Sequence, residues 1–356
     1  MLILNRYLLK EVTLNVLLVM LALMAMFSFF DLIQELDTLG KGSYGLAKIL
    51  LFVLLSSPGH VYDVMPVAVL VGCMYSLSQL SRYSELVILR VSGLSLFNIA
   101  ILLLKIGLLF TIITFLIGEL ITPFSEKMAQ RMRIKATESI VAQEFKSGLW
   151  VKDGSSFVNV EEVLPDTTLL NIHIYEFDQQ AKLITARNAK TAEFEQDYWK
   201  LKDVSETKFT KDSNKVTQLA EANWHSLTRP ELLNVLLVMP EKMSAWNLYS
   251  YIDHLSINKQ KTTRYVVALW AKMIYPLACL VMVILALPFG FIQQRAAGAS
   301  TKIFIGIMLG VMYQILNRVF AHLGLLNDWA PLFSAIMPTI LFLIAGLTML
   351  HYVERR

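Results

Sequence analysis

The sequence predicts an α-helical membrane protein of about six transmembrane helices, three plus three, with an inserted periplasmic all-β jellyroll-like domain. Two distributions and a pattern predict it. Long apolar runs gather toward both ends of the chain, while residues from about 124 to 262 hold most of the charge. Within that polar middle, short stretches alternate polar and apolar residues between turn formers. Of the 356 residues, 55% are hydrophobic and 17% are charged. A soluble domain carries about 25% charged residues, so a membrane is the implied solvent.

The first apolar run, about 12–34, follows Arg6 and Lys10. It is too long for the core of a cleavable signal, and no small-residue cleavage site follows, so it stays as a helix. The second run, about 46–80, is interrupted by Pro58-Gly59-His60, then Tyr62, Asp63 and Pro66. A kinked helix and a pair of half-helices both fit; strong apolarity resuming from Val61 to Leu80 favours the kink. The third, about 95–121, continues outward as a helix over Phe124–Ala142. Residues Gly148 to Gly154 then lead into Phe157–Val160, and Asn171–Phe177 alternates before a turn at Asp178-Gln179-Gln180. Further strands are expected at Leu183–Arg187, Lys190–Phe194, Tyr198–Val204 and Glu206–Thr210, a spacing that suits a sandwich, barrel or jellyroll-like stack. A helix over Ala245–Asn258 returns the chain to runs at about 265–291, 302–323 and 330–352. The organisation expected is therefore 1–140 for the first three spans, 141–245 for the β-domain and 246–356 for the connecting helix and last three spans.

Lysine and arginine in the short loops set the orientation. Arg6 and Lys10, Arg82 and Arg90, Arg295 and Lys302, and Arg355 and Arg356 all fall on one side. Both termini are therefore expected in the cytoplasm and the insert in the periplasm.

Several function classes are excluded. A net charge of +4 without a basic-aromatic patch is no nucleic-acid footprint. The chain carries no P-loop, GxSxG or HExxH pattern, and His173, His225 and His254 are scattered, so no catalytic group, metal or cofactor is expected. Cys73 and Cys279 sit inside apolar runs and read as small buried hydrophobes, not as a disulfide or zinc pair.

Two sets of residues remain as candidates. Between the second and third spans, Arg82, Glu85 and Arg90 alternate with Leu86, Val87, Ile88 and Leu89, and Gly93 can cap. This short amphipathic helix either lies on the cytoplasmic membrane surface or docks into a partner. The second set is ionisable residues near the outer leaflet, functional candidates because burying a charge in lipid costs at least about 2.5 kcal/mol. They are Asp31 late in the first span, Lys41 beyond it, Glu119 ending the third, Arg131, Arg133 and Lys135 on its extension, and Arg318 late in the fifth. The basic members suit phosphates at headgroup depth; snorkelling or solvated side chains are the plainer reading.

The chain resembles the LptF/LptG family, permeases of the lipopolysaccharide export ABC transporter. Ser84-Glu85-Leu86-Val87 through Ser92-Gly93 is similar to the family's coupling helix, and the order of three helices, jellyroll and three helices matches throughout. Gly40-Lys41-Gly42-Ser43-Tyr44 and Gly148-Leu149-Trp150-Val151-Lys152-Asp153-Gly154 are closer to the LptG branch. The resemblance implies an LptF-type partner permease, two copies of an LptB-type ATPase, an LptC-type bitopic protein and an LptA-type periplasmic bridge, with lipopolysaccharide as the substrate. It makes Glu85 the ionic contact to the ATPase, with Leu86 and Leu89 packing beside it, and gives Arg133 a basic position of the family's pattern. Family members carry lysines late in the first span, where this chain has Asp31, Glu35 and Asp37, with Lys41 the nearest base. Either Arg318 takes over that phosphate contact, or Asp31 pairs with Arg318 or with a base on a partner. A membrane-anchored scaffold or sensor remains a rival. A lipoprotein-release permease is disfavoured, because such proteins usually have four spans with the outer domain after the first.

Overall fold

A computed structural model of the chain describes residues 2–85, 88, 91, 96–137, 149–164, 168–178, 180, 182–195, 197–210, 214–224, 239–291 and 299–355. Six helical segments are long and apolar enough to cross a membrane, three before the strands and three after. The chain is a multi-pass helical membrane protein with an inserted antiparallel β-domain.

Helix α1 (Leu2–Leu36) lies against α2 (Leu46–Arg82) through a narrow strip in which Leu8, Val12 and Val16 recur at helical spacing. The approach is close: a Cβ on Gly72 would lie 2.6 Å from the Val16 Cα. One turn further along, Asn15 Nδ2 donates to the buried Ser76 Oγ at 2.8 Å, so the two helices share a polar bond inside an apolar seam. Helix α2 is the axle of the bundle, buried on nearly every face from Val64 to Met74. It is one continuous helix despite Pro58 and Pro66. Pro66 withholds the N–H that would reach the Tyr62 carbonyl, and beside it the Asp63 carbonyl accepts from the Tyr275 hydroxyl and from Gln314 Nε2 (2.9 Å).

The third span runs through α3 (Leu96–Leu116), a π turn (Ile117–Ile121) and α4 (Thr122–Thr137). The π turn falls immediately before Pro123, and wide turns of this kind absorb local irregularity and re-aim side chains. Beyond the strands, a 3₁₀ turn (Pro240–Lys242) leads into α5 (Ala245–Ile257). The fourth span is α6 (Thr263–Ile274) and α7 (Ala278–Phe291), joined by a 3₁₀ turn at Tyr275–Leu277 that contains Pro276. Helices α8 (Ala299–Leu326) and α9 (Pro331–Glu354) complete the set. Helices α2 and α7 are mostly buried, whereas α1 and α8 leave long apolar faces uncovered by the rest of the chain.

The β-domain is a six-stranded antiparallel sheet in which each strand pairs with its sequence neighbour: β1 (Leu149–Asp153), β2 (Ser156–Val163), β3 (Leu169–Phe177), β4 (Leu183–Glu195), β5 (Tyr198–Phe209) and β6 (Asn214–Trp224). One face carries the core of Val158, Val160, Ile172, Ile174, Val204, Trp199 and Trp224. A crease crosses the sheet. Pairing is skipped in one row, Glu161, Asn171, Lys190, Asp203 and Ala220, and Asn171 and Asp203 there have left-handed φ of 49° and 54°. Asn and Asp tolerate that region best among residues with a Cβ. The flip shifts the in–out alternation by one, so Ile172 and Leu169 are both buried although three residues apart. Strands expected as separate pieces, 183–187 with 190–194 and 198–204 with 206–210, are in fact single strands crossing this crease. The break in alternation had the look of a strand end.

Candidate functional site

Where the spans meet the β-domain, carboxylates and bases collect on several helices. Asp31 on α1 is paired with His60 on α2, Oδ2 to Nε2 at 2.5 Å, and the Phe27 ring stacks on the imidazole at 5.4 Å. Within the chain, Asp31 is thus paired with His60 and not with Arg318. His60 stands in the Pro58-Gly59-His60 notch, whose polarity was visible but whose target was not, since periodicity does not say which helices touch.

Four residues on, Glu35 is buried and accepts from the Tyr44 hydroxyl (3.0 Å) and the Thr38 hydroxyl (3.3 Å) while pairing with Arg133 Nε (3.2 Å). The Arg133 guanidinium also lies over the Phe52 ring, 5.6 Å from its centroid. Burial, and after it the Glu35 charge, pushes the Tyr44 phenol well above its ordinary pKa, so it stays a donor. This cluster ties together the end of α1, the first turn after it, α2 and α4.

A second group fixes the entry to the fourth span. Glu119, aimed by the π turn, accepts from Ala245 N (2.8 Å) and Trp246 N (3.4 Å), an acid on the positive end of α5. Ser244 caps the same helix, its hydroxyl accepting from Asn247 N at 3.1 Å. Lys242 pairs with buried Glu126 at 3.3 Å, and Lys272 of α6 donates to the Met243 carbonyl. Lys242, Glu126 and Lys272 were missed from sequence. Lys272 was findable: it is a charge inside an apolar run, the same signal that singled out Asp31 and Arg318.

The other basic candidates stand differently. Lys41, Lys135 and Arg318 are exposed, and Arg131 is half-buried. Arg318 is one turn beyond Gln314, the residue bonded to the Asp63 carbonyl. The structure therefore joins Asp31 and Arg133 to imidazole or carboxyl partners on neighbouring helices, and leaves Lys41, Lys135 and Arg318 exposed.

At the opposite end of α2, Arg82 is the last helical residue and Ser84 adopts a left-handed φ of 59°. That residue ends the helix and turns the chain: Glu85 is already helical, and Ile88 N donates to the Ser84 carbonyl at 3.1 Å. Ile88 and Val91, on one face at i and i+3, are 61% and 84% exposed. Leu86, Leu89, Arg90 and Gly93 lie outside the described residues.

Among the described residues no three His, Cys, Asp or Glu side chains gather as metal ligands, and the polar clusters tie helices together instead of converging on a reacting atom. Two triplets of spans joined by ion pairs, with a β-insert between them, define a multi-pass helical membrane protein with no catalytic centre among its described residues. The chain belongs to the lipopolysaccharide export system permease LptF/LptG family, whose model matches residues 6–352. It is 31% identical over 343 residues to the lipopolysaccharide export system permease protein LptG of Haemophilus influenzae, covering 96% of each chain. To the protein of the same name from Escherichia coli K12 it is 30% identical over 352 residues, 98% of each.

Proposed function

We propose that this chain is the LptG-type permease subunit of an ABC transporter that extracts lipopolysaccharide from the outer leaflet of the inner membrane and passes it to a periplasmic bridge. The observation that carries this reading is a family match running through both helix triplets and the β-insert, not through one of them. ATP hydrolysis belongs to a separate cytoplasmic partner, two copies of an LptB-type ATPase. The turn at half-buried Glu85, with Ile88 and Val91 exposed, supplies an acid and an apolar face for it. The uncovered faces of α1 and α8 offer a dry surface to an LptF-type permease. An LptC-type bitopic protein and an LptA-type bridge would meet the β-domain, 141–245. Among the described residues β6 is an exposed edge strand of the sheet, and an edge of this kind can accept another strand. The charge bias of the loops argues for cytoplasmic termini and a periplasmic β-domain. Lys41, Arg131, Arg133, Lys135 and Arg318 are the bases available to lipid phosphates.

The test is isolation of the tagged full chain from native membranes. Recovery of an ATPase and a second permease, and ATP-dependent release of lipopolysaccharide from proteoliposomes containing that complex, is the expected result. A chain that inserts but brings down no ATPase is a scaffold or sensor.

A further inference from the structure

The sheet has a second face. On the side away from the core, directly paired residues make a row across the strands, His173, Asn188, Ser205 and Gln218. That row borders an open groove of about 640 Å³ whose other wall is the crease residues Glu161, Asn171, Lys190 and Asp203. Its side chains are already braced: His173 Nδ1 meets Asn188 Oδ1 at 2.8 Å, Asn171 Nδ2 donates to Glu161 Oε2 at 2.9 Å, and Lys190 pairs with Asp203 at 3.5 Å.

Two contrasts separate this groove from an ordinary wet sheet face. Beyond the crease the same outer face carries cross-strand ion pairs, Lys200–Glu221 (3.0 Å) and Lys202–Glu193 (2.8 Å), the usual cover of a solvated sheet. On the near side the row is amide, hydroxyl and imidazole, and the charged pairs stand along the crease wall, Glu161 at 3.8 Å from His173 and Lys190 with Asp203. At the hairpin end of that near side, aromatic rings stand together: Trp150 stacks on Tyr175 at 6.2 Å and Phe157 meets Phe177 edge-on at 5.7 Å. The groove also rests on two left-handed residues, Asn171 and Asp203, a backbone that costs free energy and tends to persist where function needs it.

We propose that this groove, with the aromatic end beside it, is a binding site for a neutral saccharide. Amide and hydroxyl side chains both donate and accept, as sugar hydroxyls do, and ring faces take the apolar C–H face of a pyranose. Two acids against one lysine disfavour an anion, and the lysine paired with Asp203 disfavours a cation. Naming the source as the sugar portion of the transported lipid rests on the function proposed above; wall glycan has the same chemistry.

The experiment uses the full chain in nanodiscs and three probes: lipid-free core oligosaccharide released from lipopolysaccharide by mild acid and then dephosphorylated and carboxyl-reduced, so that it is neutral; the lipid A left behind; and soluble, peptide-free peptidoglycan fragments with their carboxyl groups amidated. Gln218→Leu and Asn188→Leu are the variants, with unchanged thermal unfolding as the control for fold. Saturable oligosaccharide binding, weakened about fivefold by each variant as loss of one neutral hydrogen bond would do, is expected, with lipid A binding unmoved. Binding of peptidoglycan fragments alone keeps the saccharide site and removes the lipid as its source. Binding of neither saccharide, or binding indifferent to both variants, overturns the site. Failure of lipid A to bind counts against the permease reading, not against the groove.

Discussion

Arg133 is held by Glu35, and that single contact decides how its role must be tested. Reversing it with Arg133→Glu would set two acids beside each other at a buried position, so loss of export in that variant alone would not separate lipid contact from damage. Glu35→Gln does separate them. Glutamine keeps an acceptor for the Tyr44 and Thr38 hydroxyls while releasing the guanidinium from its counter-charge. If Arg133 meets a lipid phosphate, Glu35→Gln should bind lipopolysaccharide at least as tightly as the parent chain. Arg133→Gln should then bind it about tenfold or more weakly, the worth of one charge-assisted bond. Equal weakening in both variants, measured on protein in nanodiscs, would make the cluster a structural clamp. Asp31 shows the same physics at a neighbouring pair. An acid in a span announced from sequence that it needed a partner, but the identity of His60 depends on how α1 and α2 are rotated, which only their packing fixes.

Elements were legible where one physical demand dominates a stretch of chain. A lipid environment demands about 20 apolar residues, and all six spans follow from that rule. Two demands competed in the β-domain, and there the reading broke. Alternation in the sequence ends where the crease inverts it, and β6 carries no periodic signal because nearly all its side chains are exposed, leaving no buried face to set a period. The close seam of α1 on α2 was equally hidden, because Gly72 looks like any small residue in an apolar run. Even one methyl there would press on the Val16 backbone. Gly72→Ala should therefore destabilise the purified chain by about 1–3 kcal/mol, the usual effect of overpacking. A second change, Val16→Ala, should give little relief, since the nearest atom is the Val16 Cα and not its side chain. Full rescue of the unfolding temperature by the double variant would show that the seam can open without loss.

At the scale of the whole molecule, the two ends of α2 carry different duties, and the helix joins them. Toward the β-domain it bears His60 against α1 and the Asp63 carbonyl against α8 and the fourth span. At the far end it stops at Arg82, and the left-handed Ser84 starts a short helix bearing Glu85 with Ile88 and Val91 exposed. On the function proposed above, force applied at Glu85 would enter α2 through the short Tyr83-Ser84 turn and pass from that buried helix to its neighbours through packed side chains. Such a lever needs a grip, and the acid is the one charge of that first turn beyond Arg82. Glu85→Lys should leave the chain inserted, at the loss of the contact between Glu85 and the Tyr7 hydroxyl, since Glu85 pairs with no base in the ion pairs described. It should nonetheless lower recovery of the ATPase from membranes, because one side of an interfacial charge pair is worth about 2–5 kcal/mol when its partner is left buried. Glu85→Gln should fall between the two, keeping the hydrogen bond and losing the charge. Undiminished ATPase recovery and lipid export with Glu85→Lys would move the grip to the apolar face, and Ile88→Asp would then be the variant that uncouples the complex.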